Sequence, residues 1–260
     1  SERANDRTPG RWREPRADHF CTGTRSNCWD CNFSFRARHS PGVGCSFTAT
    51  SAVGTLMKRI LVATSNPGKI RDFAGAAFRH GIEIVPLPDF SSIPPVTEDG
   101  ATFEANARKK AEAYSRYAPG EVVIADDSGL EVDAMGGAPG VHSARYAADD
   151  PQRAEANTHD EANNAKLIRE IKRVEQEKRS GRFVCWIAAA RDGRTLAVFE
   201  GMAEGMILDA PRGTNGFGYD PLFYFPQIQK AFAELSAEEK AKYSHRGKAF
   251  RKFLEWCKLI

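Results

Sequence analysis

The run "VVIADDSGLEVD", Val122–Asp133, restricts the fold more than any other segment. The uninterrupted apolar stretch Val122–Ala125 reads as a strand covered on both faces. It leads directly into two carboxylates, a hydroxyl and a glycine. A carboxylate carried to the end of a buried strand loses its hydration and needs a cation or hydrogen-bond donors in return. The sequence predicts that the strand ends at Asp126 and Asp127, that Ser128 and Gly129 turn the chain, and that "LEVDAM" begins a separate strand. Neighbouring strand residues point to opposite sides, so one of the two aspartates faces a given cleft.

The surrounding pattern supplies the rest of an α/β domain. "RILVAT" (Arg59–Thr64) reads as a buried strand, followed by the turn "SNPGK". A helix follows, with Ile70, Phe73, Ala77 and Phe78 on one side and Gly81 as its stop. Ile82–Leu87 is a second strand. Phe103, Ala107, Ala111, Tyr114 and Ala118 form the inward stripe of a second helix. "DEANNAKLIREIKRVEQEK" is a third helix. "RFVCWIAAARDGRTLAVFEGMAEGMIL" reads as two or three antiparallel strands, with Asp192-Gly193 as a hairpin turn. "KAFAEL" is a short strand candidate, and the C-terminal segment is two helices interrupted at Gly247. Strands alternating with helices, then strands pairing as hairpins, predict a mixed sheet with flanking helices.

The charge distribution sets one stretch apart. The net charge is +3, yet residues 1–56 hold eight Arg, no Lys and five acidic residues, while the remainder holds 29 basic and 29 acidic residues. A formally neutral body argues against a duplex-DNA binder. Apolar runs fall short of the ~18–20 residues that cross a bilayer. Residues 1–56 have no sustained period and are rich in Arg, Ser, Thr, Gly and Pro, so they are expected to be disordered. Met57 is the expected natural start, with the preceding segment as upstream read-through; an organellar transit peptide is the rival, weakened by the acidic residues. "CWDC" at Cys28–Cys31 lacks a second CxxC and regular spacing, which argues against structural zinc. Cys185 and Cys257 read as buried thiols of a reducing compartment, and hence a cytoplasmic protein.

Four further segments carry polar groups with two readings each. "TSNPGK" joins a strand to a helix N-terminus, where free backbone N–H groups and Lys69 make an anion site, or only an ordinary turn. Glu98 precedes the helix on which Asn106 and Lys110 lie four apart, on one face; capping by an acid and solvated lysines is the plain alternative. Three glycines around Phe217 in "GTNGFGYDP" allow a flat ligand to approach, with Phe217 stacking and Asp220 holding a polar edge; alternatively Phe217 and Tyr219 fill the core. "EEKAKYSHRGKA" adds Lys240, His245 and Arg246, where His245 also reads as a structural histidine. Mg²⁺ is the cation suited to whichever of Asp126 and Asp127 faces the cleft, with Glu98 a candidate second ligand.

In order along 58–260, "TSNPGK", "EDGATFEANARKKA", "ADDSGLEVD", "GGAPGVHSARYA", "GTNGFGYDP" and "SHRGKA" together resemble the Ham1/RdgB family, the inosine triphosphate pyrophosphatases. The resemblance implies an elongated, twisted mixed sheet in two lobes with a nucleotide cleft between them, usually in a homodimer. It implies Mg²⁺-dependent hydrolysis of ITP, dITP and XTP to monophosphate and diphosphate. Thr64, Ser65, Asn66, Pro67, Gly68 and Lys69 would line the phosphates, and Lys110 would face the triphosphate. Asp127 would be general base and metal ligand, with Glu98 the other metal carboxylate and Ser128 touching substrate. Phe217, Gly218, Tyr219, Asp220, Lys240, His245 and Arg246 would form base and phosphate contacts. His142 departs from the tyrosine frequent in "PGVYSAR".

The chemistry of the residues agrees with these roles. A triphosphate carries about four negative charges, which Lys69, Lys110, Lys240, Arg246 and Mg²⁺ can offset. Donors aimed at the purine 6-oxygen would be left unpaired against adenine's amino group, a basis for rejection by up to ~10⁴-fold. A Maf-type pyrophosphatase acting on pyrimidine or modified nucleotides is the alternative enzyme, and a nucleotide-binding protein without catalysis is the alternative class.

Overall fold

The computed structural model describes residues 59–259. The extension expected over 1–56 and its cysteine pair lie outside the described residues. The elements are β1 (Arg59–Val62), α1 (Pro67–Ala77), β2 (Glu83–Pro86), α2 (Phe103–Ser115), β3 (Val123–Val132), α3 (His159–Ile171), β4 (Ser180–Arg191), β5 (Arg194–Ile207), β6 (Phe223–Phe225), β7 (Lys230–Ala231), α4 (Ala237–Tyr243) and α5 (His245–Cys257), with short 3₁₀ turns between them. The strands form one seven-stranded sheet in the order β2-β1-β3-β4-β5-β6-β7. β1 pairs in parallel with β2 and β3, and the remaining pairs are antiparallel. This is the mixed sheet with flanking helices that the sequence predicts.

The expected turn after Asp127 is not there. β3 runs straight through it, and its ladder with β4 pairs Asp126 with Ile187, Asp127 with Trp186, Ser128 with Cys185 and Gly129 with Val184. "LEVD" therefore continues the same strand. Gly129 serves close packing, since a Cβ there would lie 2.3 Å from Ser143 Oγ and 2.7 Å from the Gly140 carbonyl oxygen.

Three apolar clusters explain why polar residues interrupt an otherwise buried strand. Ile60, Val62, Phe73, Ile124, Ile187, Phe250 and Phe253 fill one face of the first half of the sheet, under α1 and α5. Leu61, Ala107, Ala111, Tyr114, Val123 and Ala188 fill the other face, under α2. Leu130, Val132, Leu167, Phe183, Phe223 and Phe232 form a separate core toward the far end, under α3. β3 belongs to the first two clusters up to Ala125 and to the third from Leu130. Asp126–Gly129 is the stretch between them.

The hairpin at Asp192-Gly193 is as expected, with both residues at positive φ, 51° and 79°. It joins two long strands, with no third. The third helix stops at Ile171, and Gln176–Lys178 is a separate 3₁₀ turn. "KAFAEL" contributes only two strand residues before a 3₁₀ turn. The C-terminal helices break at Ser244 rather than Gly247. The Ser244 hydroxyl caps α5 by accepting from Gly247 N, and a Cβ at Gly247 would strike the Ala241 carbonyl oxygen at 2.1 Å. No helix among the described residues is long and apolar enough to cross a membrane.

Candidate active site

The alternation of β3 sends its two aspartates into different ion-pair networks. Asp127 is bound by α2: Asn106 Nδ2 donates to Oδ2 at 3.0 Å, and the Lys110 ammonium reaches Oδ1 at 3.2 Å. Lys110 also donates to Glu98 Oε2 at 2.7 Å, so one lysine bridges the two carboxylates. Asn106 Oδ1 accepts from Gly100 N at 2.8 Å, which ties the Glu98 loop to the same helix. The i, i+4 spacing of Asn106 and Lys110 thus addresses one carboxylate from one helical face.

Asp126 faces α1 and α5. Lys69 approaches its Oδ1 at 3.0 Å, and Arg246 Nε donates to Oδ2 at 3.3 Å. Arg246 further donates to Asp72 Oδ2 and to Ser128 Oγ, both at 2.7 Å. Lys240 donates to Asp220 Oδ2 at 2.6 Å and lies 3.5 Å from Asp72 Oδ1. Asp72 therefore joins two cations that come from α4 and α5. Buried charges of this kind are tolerated only as satisfied networks, because removing one partner strands another.

Electrostatics separate the two aspartates. Burial disfavours ionised Asp126, but Lys69, Arg246 and Lys110 outweigh it and hold the carboxyl far below the usual range. For Asp127, burial is the largest influence and nearby Glu98 adds to it, so its carboxyl titrates above the ordinary aspartate value despite Lys110 and Lys69. Burial opposes charge on Lys110 too, yet Asp127, Asp126 and Glu98 raise it, and Glu98 is lowered against its own burial chiefly by Lys110. One permanently ionised anchor thus stands beside one more basic carboxylate on consecutive residues.

The phosphate-loop candidate differs from expectation in one respect. Gly68 N and Lys69 N both donate to Asn66 Oδ1, at 2.8 and 3.3 Å, and Asn66 N donates to Thr64 Oγ1 at 3.2 Å. The backbone donors expected to be free are capped by the turn's own side chains, as an N-cap does. Gly68 has a packing reason: a Cβ there would fall 2.4 Å from the Phe217 ring.

Phe217 lies against α1, with the Lys240 ammonium 4.8 Å and the Arg246 guanidinium 5.5 Å from its ring centre. Asp220 Oδ2 accepts from Phe217 N at 2.8 Å, so its carboxylate braces the loop. Tyr219 is buried and its hydroxyl donates to the Ser143 carbonyl oxygen at 2.8 Å. His245 stacks on Phe183 with ring centres 4.6 Å apart and planes 9° from parallel. Burial, then Arg246 and Lys240, depress its basicity well below normal, so it is neutral, and its Nδ1 has no hydrogen-bond partner among the described residues.

These groups converge on one cavity of about 770 Å³. Thr64, Ser65, Asn66, Lys69, Glu98, Lys110, Asp127, Ser128, Phe217, Gly218, Tyr219, Asp220, His245 and Arg246 line it, as do Asp126 and Phe183. Pro67, Gly68 and Lys240 are not among its lining residues. Asp72, Asn106 and Phe183 have site positions that the sequence reading did not assign. Only Asn106 left a signal, its four-residue spacing from Lys110.

A cleft between two cores, floored by paired carboxylates and ringed by buried cations, defines an α/β protein with a charged, ligand-sized pocket. Comparison with known proteins gives the kinship. The profile of the Ham1 family matches residues 60–256. A dITP/XTP pyrophosphatase of Geobacillus kaustophilus is 50% identical over 205 residues, 78% of this chain and 97% of that protein. One of Acidobacterium capsulatum is 50% identical over 196 residues, 75% of this chain and 96% of that protein. Among solved structures, the Staphylococcus aureus Ham1 protein matches with a TM-score of 0.63 and 40% identity, covering 76% of this chain and 97% of that one. A HAM1 protein from Coxiella burnetii matches with a TM-score of 0.65 and 35% identity, covering 78% of this chain and all of that one. The chain belongs to the Ham1 family.

Proposed function

We propose that this protein hydrolyses non-canonical purine nucleoside triphosphates, ITP, dITP and XTP, to the monophosphate and diphosphate. The observation that carries the reading is Asp127, a buried carboxylate on a continuous strand, in a cavity that Lys69, Lys110 and Arg246 also line. The dITP/XTP pyrophosphatase relatives, at 50% identity over nearly their full length, support it.

Asp127 takes a proton from the water that attacks the α-phosphorus, as a carboxylate fixed within reach of that water can. The ladder of β3 with β4 fixes its position, and Asn106 fixes its rotamer through Oδ2. Lys110 and Lys69 offset the charge that accumulates on the phosphoryl oxygens. Asp126 holds Lys69 and Arg246 in place and stays ionised throughout.

The donor set suits Mg²⁺. Among the described residues no cluster of three or more His, Cys, Asp or Glu could hold a metal. Glu98 and Asp127 are two hard carboxylates meeting at one lysine, and Mg²⁺ is ordinarily held by one or two carboxylates together with substrate phosphates. Glu98 and Asp127 would hold it. When bound, it would polarise the phosphates and lower the pKa of attached water.

The base would lie by Phe217 and His245. Arg246 makes four hydrogen bonds, to Asp126, Asp72 and Ser128, out of the five donors a guanidinium carries. One N–H is left for a purine 6-oxygen, which an adenine amino group would not satisfy. A homodimer in the cytoplasm, acting without residues 1–56, completes the proposal.

Diphosphate release from ITP, dITP, XTP, ATP, GTP and dTTP, with Mg²⁺ and with EDTA, tests it. Mg²⁺-dependent release from ITP, dITP and XTP alone is expected. Turnover of pyrimidines instead would move the protein to the Maf-type reading, and no release from any nucleotide would leave a binding protein.

A further inference from the structure

Two side chains of α3 hold both backbone polar groups of one residue in the glycine-rich loop. Asp160 Oδ2 accepts from Gly218 N at 2.7 Å, and Asn164 Nδ2 donates to the Gly218 carbonyl oxygen at 3.0 Å. The two residues lie four apart and so share a helical face. The Thr158 hydroxyl caps α3 by accepting from Glu161 N, and Asp160 stands in the same first turn, where a carboxylate also favours the helix. Gly218 has φ of +60°, a conformation that favours glycine, and it sits between Phe217 and Tyr219.

The grip spans the cavity. α3 packs on the far core through Leu167 and Ile171, whereas the Phe217 ring presses on Gly68 at the start of α1, part of the near core. The loop is a strut between the two, and Asp160 itself lines the cavity.

We propose that Asp160 and Asn164 are positioning residues that set the Phe217 ring, and with it the wall of the base pocket, at a fixed distance from α1. The inference rests on the pyrophosphatase reading for its kinetic part only. A side chain that acts through Phe217 affects base binding and leaves the phosphate chemistry at Asp127 untouched. A wall that is no longer held in place weakens binding of the base, which reads as a raised KM with kcat retained.

Asp160→Ala is expected to raise KM for dITP about tenfold, with kcat within about twofold. The inhibition constant of inorganic triphosphate, which has no base, is expected to stay at the wild-type value. Asp160→Asn keeps the accepting oxygen and should restore KM, and Asn164→Ala should repeat the loss independently. Hydrogen exchange at the Gly218 amide should be faster in Asp160→Ala and normal in Asp160→Asn. Unchanged KM and exchange in Asp160→Ala would overturn the proposal. So would parallel rises of KM and the triphosphate inhibition constant, or an Asp160→Asn variant as impaired as the alanine. A wild-type protein that turns over no purine triphosphate would defeat the function reading instead, and the exchange rates would still decide the grip.

Discussion

Asp127 and Lys110 meet at 3.2 Å on the cavity floor, and the same ammonium holds Glu98 at 2.7 Å. The lysine occupies the point where two carboxylates would otherwise repel. Asp127→Asn keeps the shape and a hydrogen-bond acceptor but removes the proton-accepting charge. General-base loss of this kind costs about 10²–10⁴ in turnover. The fold should persist, because Lys110 retains Glu98. Steady-state hydrolysis of dITP beside a thermal melt checks both parts, and near-normal turnover would remove Asp127 from its role.

Lys69 lies 3.0 Å from Asp126, and the proposed function gives it the substrate phosphates as a second partner. Lys69→Ala leaves Asp126 paired with Arg246, so the protein should fold. It loses a charged contact of about 1.5–3 kcal/mol to the triphosphate, a rise in KM of tenfold or more. An unchanged KM for ITP would place the phosphates elsewhere.

Much of the site was legible because the chemistry-bearing residues cluster in short, polar, glycine-containing segments between periodic ones. The course of the chain through Asp126–Gly129 was not. Carboxylates and glycine are poor strand formers, and local propensity reads them as a turn. Ion pairs from α1, α2 and α5 override that preference. The frame was nevertheless present in the sequence: Ile124, Asp126, Ser128, Leu130 and Val132 keep one period-2 phase through the polar stretch. Asp72 had no local signal at all, since it looks like one more charge on α1 and its partner Arg246 lies 174 residues away. The cap at Ser244 was readable as a serine before a helix, but Gly247 drew the break to itself. Its reason, the approach of Ala241, is tertiary.

Gly129→Ala tests the continuous strand. The added methyl would meet Ser143 Oγ, the Gly140 carbonyl and the Phe103 ring, all within 2.9 Å. Two of these belong to the turn closing over β3, so relief requires backbone movement. A loss of about 1–3 kcal/mol in a urea titration is expected. A wild-type midpoint would mean the segment is open, as a turn would be.

Asp72→Ala would leave Arg246, 2% exposed, with one carboxylate fewer. Breaking a buried pair costs about 3–5 kcal/mol, and because Asp126 and Ser128 remain as partners the lower end is expected. Asp72→Asn, which still accepts from Nη1, should lose less. Equal stability of wild type, Asn and Ala variants by urea denaturation would show that the Asp72 pair contributes nothing.

His245 gives the fold a pH dependence of defined sign. It is neutral when folded, its pKa depressed by burial and by Arg246 and Lys240, and it regains an ordinary pKa of about 6.5 when unfolded. Below that value the unfolded chain takes up a proton that the native state refuses. The stability is therefore complete above about pH 6.5 and falls as the pH drops toward the folded pKa, by up to about 1.4 kcal/mol per pH unit. His245→Gln removes the titration, so its stability should vary less between pH 5 and 7 than that of the wild type. Urea midpoints across that interval decide it: parallel curves for the two proteins would mean that native His245 takes up its proton as readily as the unfolded chain does, and the depressed basicity of the buried ring would have to be abandoned.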